Sequence, residues 1–161
     1  MKKICACVFL LVFLMVGCSH GAAANTEESV TDEQMQTEQK SVWGITLETK
    51  DVTAQRLTLV CTQSGGEAVG ELHTGSWFSI QKCVKGQWVQ VEYTEVDEEQ
   101  VGWTSEAWLI PPENTVEWEV DWSWLYDKLP NGEYRIVKEI TNFRGTGDSD
   151  EAEIYAAFTI E

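Results

Sequence analysis

From Trp43 onward, apolar and polar residues alternate in short runs broken by glycine, proline and asparagine, the two-residue period of half-buried β-strands. The pattern predicts a first strand over Trp43–Val52, with Ile45, Leu47 and Thr49 in one phase. A second covers Arg56–Gln63, where Leu57, Leu59 and Cys61 face one way and Thr58, Val60 and Thr62 the other; Ser64-Gly65-Gly66 breaks it. Further strands are predicted over Ser76–Val84, Gln87–Tyr93, Val101–Ile110, Thr115–Val120, Glu133–Thr141 and Glu151–Ile160. Gly86 turns the first of these tightly into the next, and Pro111-Pro112 ends the Val101 run. The period changes once. Asp121 to Lys128 spaces Trp122, Trp124, Leu125 and Tyr126 for a single helical turn behind an N-cap acid, and Leu129-Pro130-Asn131-Gly132 stops it. Arg144 to Asp150 reads as a flexible polar hairpin loop. About seven strands with one helical turn argue an all-β fold, an antiparallel β-sandwich. Residues 42–161 suit one domain with its own core.

Upstream the pattern is different. Lys2 and Lys3 precede a short apolar run, Ile4 to Val16, closed by the small residue Gly17, which is the form of an export signal over residues 1–17. A transmembrane helix needs about 20 apolar residues, and this run is shorter. Leu14-Met15-Val16-Gly17-Cys18 resembles the bacterial lipobox. That resemblance implies that the Cys18 thiol carries a diacylglycerol and becomes the first mature residue, fastened to the extracytoplasmic face of the cell membrane. Met15 departs from the leucine most often found there. Ala22-Ala23-Ala24 also offers small residues to a general signal peptidase, whose cut would secrete the chain free. Residues 18–41 have no periodicity and almost no large apolar side chain, so they read as a disordered acidic tether. Such a tether reaches roughly 25–30 Å from its anchor.

Charge narrows the partners. With 11 basic and 27 acidic residues the chain carries a net −16, and losing the signal removes two lysines but no acid. Nucleic acid and anionic headgroups would be repelled, which leaves a lipid anchor for the membrane and an unknown protein or glycan at the cell surface. Cys5 and Cys7 leave with the signal, so a lipidated Cys18 leaves Cys61 and Cys83 as an even pair in an oxidising compartment. They either close a disulfide or pack as two separate apolar thiols, and geometry decides between these.

The eight tryptophans carry the rest of the chemistry. Trp118, Val120 and Trp122 fall on one face of an alternating run, with Glu117, Glu119 and Asp121 on the other, so that stripe is core. Trp103 and Trp108 flank an irregular segment and are the candidate ligand contacts, because an exposed indole beside carboxylates offers a flat platform to a sugar or peptide. Asp148 and Asp150 form a weak calcium candidate, without the spacing of an EF-hand loop. His73, the only histidine beyond the tether, sits in a glycine-bounded loop at the surface. No nucleophile elbow, phosphate-binding loop or dinucleotide fingerprint occurs, so neither catalysis nor a cofactor is expected.

Several segments together resemble a known family. These are Leu57-Thr58-Leu59-Val60 with Gln63-Ser64-Gly65-Gly66, Trp118-Glu119-Val120 with Trp124-Leu125-Tyr126, Leu129-Pro130, Gly132-Glu133-Tyr134-Arg135-Ile136, and Phe143-Arg144-Gly145-Thr146-Gly147. They are similar to the bacterial immunoglobulin-like domains carried by surface lipoproteins and multidomain proteins of Gram-positive anaerobes. The resemblance spans about residues 42–161 and implies an immunoglobulin-like sandwich at the cell surface, with no catalytic residue to carry over. Cys61 and Cys83 stand where the family has ordinary apolar residues. Tyr134, at the start of its strand, resembles the tyrosine corner of sandwich domains, whose hydroxyl bonds back to the preceding connection. The expected role is an interaction or display module. The alternatives are a carbohydrate- or peptide-binding lipoprotein that uses exposed tryptophans, and an envelope sensor or inhibitor.

Overall fold

A computed structural model describes residues 41–161. The expected signal over residues 1–17, the Cys18 anchor and the tether up to residue 40 lie outside the described residues. Strands run in the order β1 (Ile45–Lys50), β2 (Arg56–Gln63), β3 (Glu71–Thr74), β4 (Ser79–Val84), β5 (Gln87–Gln90), β6 (Trp108–Leu109) and β7 (Asn114–Asp121). A single-turn helix α1 (Ser123–Tyr126) leads to the long pair β8 (Gly132–Gly145) and β9 (Asp148–Ile160). They form two antiparallel sheets, one of β1-β2-β7, the other built around β8. The antiparallel β-sandwich expected from the alternation is the fold observed, as the immunoglobulin-like resemblance implies.

Alternation explains which side of each strand is buried. Leu57, Leu59 and Cys61 of β2 face Ile136, Ile140 and Ile154 of the other sheet in one apolar cluster. Each such side chain stabilises the fold by roughly 1.5–3 kcal/mol against exposure. Trp122, fully buried, stacks on Phe158 at 5.5 Å and donates its indole N–H to the Ala54 carbonyl at 2.9 Å. Tyr134 is buried in the same layer, and its hydroxyl donates to the Pro130 carbonyl at 2.7 Å. This is the expected corner. It ties the start of β8 to the connection behind it.

β8 is paired along its whole length, by β9 on one side and by two strands in series on the other. β3 pairs with Ile140–Phe143 and β4 with Tyr134–Val137, so together they occupy one strand position interrupted at Gly75-Ser76-Trp77-Phe78. The interruption frees the carbonyls of Gly75 and Trp77, and Lys138 answers it from the core-facing phase of β8. Its Nζ donates to Gly75 O at 2.5 Å and to Trp77 O at 2.6 Å, with the residue only 2 % exposed. A buried ammonium is costly unless hydrogen-bonded, and here two backbone carbonyls supply the bonds.

Several boundaries differ from the expectation. The first strand begins at Ile45, because Trp43 and Gly44 have positive φ (53° and 71°) and form a turn. Of the expected Val101–Ile110 strand only Trp108–Leu109 pairs; Val101 and Trp103 instead pack as loop side chains on the core edge. Glu71–Thr74, expected as loop around His73, is a strand, and His73 packs edge-on to Phe143 at 6.0 Å. Asp121 does not occupy the N-cap of α1, which Trp122 does. Its carboxylate instead accepts from the Ser123 N–H (2.8 Å) and Oγ (2.6 Å). The β8–β9 connection is no long loop, since strand pairing continues to Gly145 and resumes at Asp148.

Candidate functional site

The side of the sandwich where β6 meets β7 gathers four tryptophans. Trp108 on β6 stacks against Trp118 on β7 at 6.0 Å, joining the two sheets. Trp103, in the long β5–β6 connection, packs edge-on to Phe78 at 5.3 Å and to Trp124 of α1 at 5.5 Å. Two hydrogen bonds pin that connection: Ser76 Oγ donates to the Thr104 carbonyl at 3.1 Å and accepts from the Thr104 N–H at 2.9 Å. Trp124 is fixed by its own indole, which donates to the Asp121 carbonyl at 3.1 Å, and it stays 44 % exposed.

Between these rings lies a cleft of about 210 Å³, lined by Trp103, Trp108 and Trp124 together with Lys138 and the Glu119–Asp121 end of β7. Trp103 and Trp108, the candidate ligand contacts, are half-buried and line this cleft together with Trp124 and Lys138. Neither of the last two was singled out from sequence. Lys138 had a signal, a lysine in the core phase set by Tyr134, Ile136 and Ile140.

The electrostatics are mixed. Burial pushes the Lys138 ammonium down to about 8, so at neutral pH it is mostly charged. Its Nζ lies 5.4 Å from the centre of the Trp108 ring, a cation held over an aromatic face. The two bonds from Ser123 hold the Asp121 carboxyl below its ordinary range, so it is ionised.

The other expected site residues fall elsewhere. Cys61 and Cys83 are free thiols on different sheets: Cys61 faces the core of β2, and Cys83 lies half-buried opposite Trp88 on β4–β5. Burial pushes the Cys61 thiol up to about 12. Of the two alternatives the structure has separate thiols. Asp148 and Asp150 both point to Arg144, at 2.6 Å each from its guanidinium nitrogens, because a bulge at Phe143/Gly145 brings that arginine over the turn. The calcium candidate therefore has its carboxylates occupied by an internal cation. Among the described residues no group of three or more His, Cys, Asp or Glu is placed to hold a metal ion.

A larger cleft of about 530 Å³ lies on the far side of β6, where Leu109 and Leu72 meet the Gly65–Gly70 connection. Two of its polar side chains, Gln63 and Glu113, hold that connection. Gln63 Nε2 donates to the carbonyls of Gly65 (2.7 Å) and Trp43 (3.2 Å), and its Oε1 accepts from Glu113 N–H. The Glu113 carboxylate accepts from Gly65 N–H at 2.8 Å and Ser64 Oγ at 3.0 Å. It has no aromatic wall, so the tryptophan cleft is the better candidate.

A two-sheet antiparallel body with a tyrosine corner and an aromatic side cleft defines an immunoglobulin-like sandwich domain. The family described as Bacterial Ig-like domain matches residues 33–159, and the chain belongs to it. No curated protein matches the chain.

Proposed function

We propose that this chain is a lipid-anchored module of the cell surface that works by contact, with the tryptophan cleft as its contact site. Cys18 carries the anchor, residues 18–41 form the stalk, and the sandwich is displayed on the extracytoplasmic side. The observation that carries the contact reading is the convergence of Trp103, Trp108 and half-exposed Trp124 on one cleft, from a loop, a strand and a helix. Trp118 and Lys138 cover Trp108, and the 44 % exposed Trp124 supplies the open aromatic surface, the usual anchor of a recognition surface. Family membership supports a surface interaction role, and the mixed cleft charges suit binding more than bond-making.

Two measurements test this. Mass analysis of the mature N-terminus should find a diacylglyceryl group on Cys18; an unmodified start near Asn25 would contradict the anchor. Adhesion of cells bearing Trp108→Ala or Trp103→Ala protein, with the fold checked by circular dichroism, should fall; unchanged adhesion would contradict the contact site.

A further inference from the structure

We propose that the tryptophan cleft takes one neutral pyranose unit of a glycan, an inference that rests on reading the cleft as the contact site. Size is the first argument. Pockets for drug-sized ligands run to roughly 300–1,000 Å³, and about 210 Å³ suits a single ring. An extended peptide would need more room than this cleft offers, and a peptide pairing instead with the free edge of β7 is the competing outcome of the test.

The walls and the charges select the ring's chemistry. Indole faces match the flat C–H face of a pyranose. Lys138 has three N–H donors, and Gly75 O and Trp77 O take two. The third has no oxygen acceptor among the described residues, and Lys138 lines the cleft with its ammonium over Trp108. A sugar hydroxyl satisfies that donor, since it accepts from an ammonium. Other ligands fail on one side or the other. A uronate or sialate meets a chain of net −16. An amino sugar brings its cation towards the Lys138 ammonium, and a purely apolar ligand leaves that donor buried and unmet.

The test is calorimetry and tryptophan fluorescence on the full-length protein in detergent. The probes are cellotetraose, tetra-N-acetylchitotetraose, tetragalacturonate, the glucosamine tetramer and an alanine tetrapeptide. Neutral polysaccharide from the producing cell's own envelope forms a separate arm, to tell self from foreign glycan. The proposal expects at least one neutral glycan to bind, with tetragalacturonate and the glucosamine tetramer at least about tenfold weaker. Trp108→Ala and Trp124→Ala should each weaken it about tenfold, and Trp88→Ala, on the other face of the sheet, should leave it unchanged. Equal or tighter binding of tetragalacturonate, or binding of the peptide alone, overturns the sugar. If no neutral glycan binds but Trp108→Ala still lowers cell adhesion, the sugar falls and the contact site stands. If neither changes, both fall.

Discussion

Lys138 lies with its Nζ 2.5 Å from the carbonyl oxygen of Gly75, a bond that closes the gap between β3 and β4. The same side chain lines the tryptophan cleft, so the residue that repairs the sheet also supplies the cleft's only cation among its lining side chains. Its ammonium is titrated near 8 by burial, below the unfolded value. The unfolded chain therefore holds the extra proton between about pH 8 and the ordinary lysine range, and raising the pH through that window favours folding. Relative to Lys138→Met, the native protein should gain up to about 3 kcal/mol across it. Urea unfolding of both proteins from pH 7 to 10.5 checks this; parallel pH profiles would contradict it.

Tyr134→Phe removes only the hydroxyl that donates to Pro130. The ring stays stacked on Phe158 at 5.6 Å, so packing is kept and the carbonyl of exposed Pro130 loses its donor. The expected loss is about 0.5–1.5 kcal/mol in denaturant unfolding. A change within experimental scatter would mean the corner bond contributes nothing.

Gly66 has φ +77°, and a Cβ placed there would run into the backbone of Trp43 and Gly44. Gly66→Ala should therefore lower the melting temperature more than Gly65→Ala, where φ is also positive but the space is open. Equal shifts at both sites would contradict the close approach of the two backbones.

The two thiols should differ in reactivity. Cys83 is half-buried, whereas Cys61 is buried with its thiol pushed to about 12, so a maleimide should label one cysteine in the folded domain and a second only after unfolding. A protein that yields neither thiol in denaturant without reductant would carry the disulfide after all.

Much of the sandwich was legible because period-two alternation survives where both faces of a strand differ. β2 runs from Arg56 to Gln63 as the alternation places it, and Tyr134 meets Pro130 as its position implied. β3 was missed because four residues between two glycines offer only Leu72 and Thr74 as a buried phase. Asp148 and Asp150 looked like loop acids because the register that hands them to Arg144 depends on a bulge, a tertiary feature. The cleft was half legible. Trp103 and Trp108 stood out as tryptophans beside an irregular segment, but Trp124 and Lys138 reach them only through the packing of α1 and β8. No local spacing encodes that meeting.

Hydroxyl-radical footprinting of the full-length protein on intact cells addresses the contact site most directly, since it needs no knowledge of the partner. Oxidation of Trp103, Trp108 and Trp124 should fall on the cell relative to the purified protein, while Trp88 is labelled alike in both. Equal labelling of the cleft tryptophans on and off the cell would contradict the account.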